Sequence, residues 1–154
     1  MTAADRSSPR DWRQVRVRLS PRPRGIHLVT HELLGAIDLS AFAIGMVHCF
    51  LLHTSAALSL NENASPEVRT DLARWLDRVA PDGADYFDHT LEGPDDMAAH
   101  VKSSLLGAAV TIPIARGRPL LGTWQGIYLC EFRTQAGPRE VVVTAWGGSA
   151  GVAD

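Results

Sequence analysis

Apolar positions along the chain follow two periods, and the switches between them mark out the expected elements. Val15, Val17 and Leu19 alternate with Gln14, Arg16 and Arg18, the period of a strand with one wet face. Ser20 to Gly25 has the composition of a solvated turn, and Ile26 to Val29 reads as a second short strand. Thr30 stands where an N-cap belongs for a helix over His31 to Ile37, with Glu32 in its first turn and Gly35 weakening it. Met46 to Leu52 is almost continuously apolar, which predicts a strand buried on both faces, and Ala56 to Leu60 predicts a further strand.

The clearest helix starts at Ser65, with Pro66 at its first position and Glu67 behind it. Val68, Leu72, Trp75, Leu76 and Val79 recur at helical spacing, while Arg69, Asp71, Arg74, Asp77 and Arg78 make a charged, solvated face. Pro81-Asp82-Gly83 ends it, and residues 84–94 have loop composition. A second helix is expected from Asp95 or Asp96 to Leu106, stopped by Gly107, with Met97, Val101 and Leu105 as its apolar ridge. His100, Ser103, Ser104 and Gly107 share a neighbouring stripe, and Lys102 points elsewhere. Ala108 to Ile114 then reads as a strand in which Pro113 favours an edge or an end. After a loop over residues 134–139, Glu140 to Ala145 reads as the last strand.

Between them lies Arg116 to Phe132, a polar turn on Gly117 and Pro119 that feeds a strand starting near Thr123. Alternation puts Thr123, Gln125, Ile127, Leu129 and Glu131 on one face, and Trp124, Gly126, Tyr128, Cys130 and Phe132 on the other. A buried carboxamide or carboxylate needs a partner, because leaving it unpaired costs about 1–3 kcal/mol. Gln125 and Glu131 therefore either satisfy the fold or face a ligand. Many short strands around two principal helices give an α+β class with mixed or antiparallel sheets.

Composition adds bounds. The 154 residues suit one domain, expected over 11–146, with a disordered tail at 1–10 and a mobile end at 147–154. A net charge of -2 gives no general attraction to nucleic acid or to an anionic membrane. Met1 to Gln14 lacks an apolar signal core and no apolar run is long enough to span a bilayer, so the expected location is cytoplasmic. Cys49 and Cys130 lie in separate apolar runs and read as reduced core residues. The chain carries no P-loop, GxSxG elbow or HExxH, which removes the common nucleotide-binding, serine-hydrolase and zincin readings.

The candidate chemistry centres on histidine. His53 follows a buried strand, where a rigid scaffold can present it to a cleft; His48 reads as a core residue, and His27 and His31 as surface residues. His53, His89 and His100 come from a strand end, a loop and a helix. Three imidazoles from separate elements can hold a divalent metal such as zinc or magnesium with a position left open, or can do metal-free acid–base work. Glu62 or Glu131 could orient an imidazole or serve as the base. Phosphate recognition would fall to isolated cations such as Lys102, Arg116, Arg118 or Arg139. Asn61-Glu62-Asn63 ends an apolar segment and reads either as a turn or as part of a site.

Four ordered blocks carry a family resemblance: His53-Thr54-Ser55, Asn61-Glu62-Asn63, His100 to Gly107 (HVKSSLLG) and Gly122 to Leu129 (GTWQGIYL), the last preceded by Gly117. Together they resemble the YjbQ-like family of small proteins, some of which are known for a weak thiamine-phosphate synthase activity. The resemblance implies an α+β fold, a homotrimer, and a site in which His53, Glu62, His89, His100, Lys102 and Gln125 are catalytic. Thr54, Asn61, Asn63, Ser103, Ser104, Thr123 and Glu131 would contact a small phosphorylated substrate, and His53, His89 and His100 would hold the metal. The implied reaction joins a pyrimidine methyl diphosphate to a thiazole phosphate with loss of pyrophosphate. Two departures touch loops: Pro94 stands after Glu92-Gly93 where the family commonly has Asn, and Arg133 to Ala136 lengthen the link to Gly137-Pro138-Arg139. An enzyme, a metal or small-ligand binding module without turnover, and a structural oligomer all remain open readings.

Overall fold

The computed structural model describes residues 10–149; of the expected tail at 1–10 and the expected end at 147–154, residues 1–9 and 150–154 lie outside the described residues. Among the described residues, eight strands and three helices follow one another as β1 (Arg10–Leu19), β2 (Gly25–Leu28), α1 (Thr30–Leu34), β3 (Ile44–Leu51), β4 (Ala56–Glu62), α2 (Pro66–Val79), α3 (Asp96–Leu106), β5 (Ala109–Ala115), β6 (Arg118–Pro119), β7 (Gln125–Glu131) and β8 (Arg139–Gly148). Strand pairing thus reaches Arg10 at one end and Gly148 at the other, beyond the expected 11–146.

The strands form two sheets, five-stranded β1-β8-β3-β5-β6 and three-stranded β2-β7-β4, and every pairing is antiparallel. The inner face of the larger sheet, with Val47, Cys49, Leu51, Ile112, Val141 and Val143, packs on Leu58, Ile127 and Leu129 of the smaller one. The opposite face of the smaller sheet, with Ala57, Tyr128 and Cys130, packs on Leu76 of α2 and Ala99 of α3. The result is three layers: sheet, sheet, helices. Both cysteines are buried free thiols, with their pKa pushed up by burial, Cys49 to about 11 and Cys130 to about 12.

Being the middle strand of the middle layer, β7 is the one buried on both faces, not β3. β3 buries Val47, Cys49 and Leu51, while none of the described residues covers the other side of its sheet and Phe50 is exposed there. A continuous apolar run is the same in either case; which layer it joins is a tertiary matter. β7 also starts at Gln125 rather than Thr123, because residues 122–125 close a turn: Gln125 N–H donates to Gly122 C=O (2.9 Å) and Gly122 N–H to Gln125 Oε1 (2.8 Å). The β5–β6 hairpin turns on Arg116 and Gly117, both at positive φ (51° and 73°), and Gly117 lies so close to Ser40 that a Cβ would meet its Cα at 3.0 Å. β5 is flanked on its outer side only by two-residue β6, so Pro113 sits where the ladder gives out.

The helices depart from expectation at their caps and faces. Thr30 does not cap α1: its Oγ1 accepts the Ile127 N–H (2.9 Å), and α1 stops at Leu34. Ser65 occupies the N-cap position of α2, but its hydroxyl donates to Glu67 Oε2 (2.6 Å). On α2, Leu76 is buried while Trp75 and Val79 point outward, and Arg69 of the expected wet face is half-buried. α3 buries Ala98, Ala99, Lys102 and Ser103 in place of the expected ridge; Leu105 is exposed. That rotation is stable because the inward polar groups all find partners.

Candidate functional site

α3 starts at the mouth of the loop that carries His89, and its first turn presents Asp96. Four residues on, one helical turn brings His100 over the same carboxylate. His89 Nε2 lies 2.8 Å and His100 Nε2 3.3 Å from Asp96 Oδ2, with the two rings 5.5 Å apart edge to face. One ligand atom from each of the three residues falls within 4.8 Å of the others. Asp96 is buried and the imidazoles are partly open, so the cluster faces solvent on one side.

Hydrogen bonding orients the His100 ring of this cluster. His100 Nδ1 is 3.0 Å from Thr54 C=O, which can only accept, so Nδ1 carries the proton. A neutral His100 then turns the Nε2 lone pair toward carboxylate oxygen. Two lone pairs at 3.3 Å repel unless a cation lies between them, either an imidazolium proton or a metal. Asp96 Oδ1 is held by Arg133, which also bonds Asp95 Oδ2 (3.2 Å) and Glu92 C=O (2.8 Å). Thr134 adds two bonds to Asp95, from its N–H (2.8 Å) and its hydroxyl (3.1 Å). Burial pushes Asp95 up, but the Thr134 and Arg133 bonds outweigh it and hold its carboxyl below the ordinary value. The lengthened loop at 133–136 therefore clamps the start of α3.

A cavity of about 470 Å³ opens beside the cluster, lined by His53, Thr54, His100, Ser103, Ser104 and Gly107. Ser103 is spent on Ala56 C=O (2.8 Å), whereas Ser104 and Thr54 are exposed. His53 closes the inner wall, with Nε2 accepting the Glu140 N–H (2.9 Å). Its proton then sits on Nδ1, 3.4 Å from Arg139 Nη1, so two donors face one another. Burial, then the Arg139 charge, lowers the His53 pKa and keeps the ring neutral. Both ring nitrogens are accordingly turned to the fold, and His53 does not join the His89–Asp96–His100 cluster. Of the three expected ligands, His89 and His100 stand together with Asp96, and His53 stands apart from them.

Glu131 is turned toward Arg139 and Arg133. It makes a two-bond pair with Arg139, Nε to Oε2 and Nη2 to Oε1, each 2.7 Å, and takes the Arg133 N–H at 3.0 Å. Arg139 also donates to Ser55 Oγ (3.2 Å). Both charged groups are buried, so Arg139 is a structural partner rather than a free phosphate-binding cation. Lys102 is likewise fully buried; its Nζ donates to Asp77 Oδ1 (2.6 Å) on α2 and lies 5.9 Å from the Phe132 ring centre. Burial raises the Asp77 pKa, but Lys102 and Arg24 outweigh it and hold the group low. Lys102 thus points into the α2–α3 seam, away from the cavity that His100 lines.

The remaining predicted residues gather elsewhere. Asn61, Glu62, Asn63, Thr123 and Gln125 lie at the far end of the three-stranded sheet, where Glu62 pairs in register with Gln125. Glu62 lies six steps along β4 from Ala56, a rise of about 20 Å. Asn63 Nδ2 donates to Thr123 C=O (3.2 Å) and Gln125 C=O (3.1 Å), and Tyr128 donates its hydroxyl proton to Glu62 C=O. A separate cavity of about 510 Å³ opens there, lined by Leu28, Thr30, His31, Glu32, Asn63 and Gln125. Within one chain the two groups do not reach one small molecule.

Sequence reasoning passed over Asp96 and Arg133. The four-residue step from Asp96 to His100 was the available signal for the first; the second lies in the extra loop residues and carried none.

Residues 14–148 match the family described as UPF0047 protein YjbQ-like. The YjbQ protein of Salmonella typhimurium is 47% identical over 137 residues, covering 88% of this chain and 99% of the relative. YugU of Bacillus subtilis is 40% identical over 111 residues, covering 72% and 80%. Among solved structures, a conserved hypothetical protein of Thermus thermophilus aligns with a TM-score of 0.74 at 35% identity, over 84% of this chain and 97% of that one. An uncharacterised Clostridium acetobutylicum protein aligns equally well at 37% identity, with the same coverage. The two-sheet, α+β architecture and the ordered sequence blocks therefore have one explanation: this chain belongs to the UPF0047 YjbQ-like family.

Proposed function

We propose that the protein is a metal-dependent enzyme acting on a small phosphorylated molecule at the cavity beside α3, with thiamine-phosphate synthesis as a secondary reaction. The observation that carries this reading is the convergence of His89 Nε2 and His100 Nε2 on Asp96 Oδ2, with His100 Nδ1 held by the Thr54 carbonyl. Two imidazole nitrogens and one carboxylate oxygen, open on one side, are a donor set that suits zinc or a similar divalent ion. His89, Asp96 and His100 would hold the ion, and when bound it supplies positive charge for a departing diphosphate. Thr54 fixes the His100 tautomer, as the outer partner of a ligating histidine commonly does. Arg133 holds Asp96 in place through its other oxygen. Ser104 and Thr54 offer exposed hydroxyls to a phosphate, and neutral His53 shapes the wall. Lys102 has no part in this reading, since its ammonium is buried against Asp77.

Metal content of the purified protein tests the reading. About one metal per chain is expected, retained in His53→Ala and lost in His89→Ala/His100→Ala with the fold intact. Turnover of the pyrimidine diphosphate and thiazole phosphate pair should depend on that metal. Metal-free wild-type protein after loading with zinc, manganese or magnesium would overturn it. Metal without turnover on a panel of phosphorylated substrates would favour a binding module.

The homotrimer implied by the family is proposed to form through the uncovered face of the five-stranded sheet. Trp12 stacks on Trp146 there (5.4 Å) while remaining 65% exposed, and Phe50 is 44% exposed. Large apolar side chains on an uncovered sheet face are what a subunit contact buries.

A further inference from the structure

The cavity of about 510 Å³ bordered by Asn63 and Gln125 takes no part in the metal chemistry, since it opens at the end of the three-stranded sheet away from His53. Gly126 makes this end possible. A Cβ there would stand 2.7 Å from Leu28 Cδ2 and 3.1 Å from both Asn63 Cβ and Thr30 Oγ1, so a bare backbone lets the residues after β2 and β4 close in on β7.

Three side chains around the cavity are each held by backbone at one end and free at the other. Asn63 gives both amide protons away, to Thr123 C=O (3.2 Å) and Gln125 C=O (3.1 Å), so its Oδ1 is a fixed acceptor. Gln125 Oε1 accepts the Gly122 N–H (2.8 Å), which leaves the Nε2 protons to donate. Thr30 Oγ1 accepts the Ile127 N–H (2.9 Å), which leaves the hydroxyl proton. Asn63 Oδ1 has no partner among the described residues and is not sealed from solvent, Thr30 is half-buried, and Gln125 is exposed. The lining holds one carboxylate and no Lys or Arg; that carboxylate, Glu32, is paired with Arg22. Leu28 is its one aliphatic wall.

These features select a ligand. An anion would meet Asn63 Oδ1 and Glu32 with no free cation to hold it, and an aromatic ring would have only Leu28 to pack on. A hydroxyl both donates and accepts, so several hydroxyls on one neutral frame can take the Gln125 and Thr30 protons and give one to Asn63. We propose that this cavity binds a small neutral polyhydroxy molecule of the monosaccharide class, with Asn63 as acceptor and Gln125 and Thr30 as donors. The site shares no residue with the His89–Asp96–His100 cluster or the His53 cavity, so it stands whether or not a metal binds there.

Titration of isotope-labelled full-length protein with ribose and with methyl glucoside, followed by NMR at the side-chain amides of Asn63 and Gln125 and the backbone amide of Gly126, tests the proposal. Saturable shifts at these signals are expected for at least one of the two sugars. Gln125→Glu keeps the oxygen that Gly122 binds but removes the donor, and should weaken binding by about tenfold with a melting temperature close to wild type. Thr30→Ser, which keeps the hydroxyl, should bind as wild type does, and Thr30→Val about fivefold more weakly. His89→Ala/His100→Ala should leave these shifts in place. The assignment is overturned by the absence of saturable shifts with both sugars, by equal or tighter binding of ethyl phosphate or nicotinamide at the same signals, or by undiminished binding in Gln125→Glu. A large drop in melting temperature in that variant would make the carboxamide structural, and loss of the shifts in the histidine variant would move the ligand to the other cavity; either result also overturns it.

Discussion

Replacing Glu131 by Gln separates a structural from a catalytic carboxylate. The side chain keeps its shape, but one carboxylate oxygen becomes an amide donor facing an Arg139 donor, and the buried guanidinium loses its counter-charge. Two charge-assisted bonds of 2.7 Å and the Arg133 N–H bond are disturbed together. Breaking a buried pair from one side costs about 3–5 kcal/mol. In urea, with a slope of about 2 kcal/mol per molar, the unfolding midpoint should fall by about 2 M. The double variant Glu131→Leu/Arg139→Met removes both charges and should recover most of that loss, since an apolar pair of similar volume replaces a desolvated ion pair. A Glu131→Gln protein within about 1 kcal/mol of wild type that has lost ligand affinity would refute the argument and return Glu131 to the site.

Asp96→Asn should lower zinc affinity by about 100-fold or more in a chelator competition, because it removes a ligand charge; unchanged affinity would remove Asp96 from the donor set. Lys102→Met should leave ligand binding at the His53 cavity intact and change stability by about 1 kcal/mol, since Asp77 keeps water and Arg24; loss of turnover in a stable variant would put Lys102 back at the substrate. His53 has a folded pKa below its unfolded value, so its contribution is fully present above the unfolded pKa of about 6.5 and is lost as pH falls through the folded one. Urea midpoints of wild type should decline over that acidic window more steeply than those of His53→Gln; parallel curves would count against the neutral, buried ring. Phe50→Asp should shift light-scattering mass toward the monomer, and an unchanged mass would move the subunit contact to another face.

The pattern of apolar residues by itself determined the class of nearly every element, because the alternation in β1, the short apolar runs of the other strands and the helical spacing in α2 and α3 are local properties. The ordered motif blocks likewise determined the family. What the sequence left open is where each polar side chain goes. Glu131 and Arg139 are eight residues apart and meet only because β7 and β8 belong to different sheets that face each other; Lys102 and Asp77 meet across two helices. α3 turned its expected apolar ridge partly outward because Asp77 and the Ala56 carbonyl were waiting for Lys102 and Ser103. The His53 and Asn61–Gln125 groups, neighbours in the motif order, were parted by the length of one strand. Local pattern fixes the element, since it needs only the chain's own geometry; the pairing of buried charges is decided by packing, since each charge must leave water and accepts whichever opposite partner the layers bring within reach.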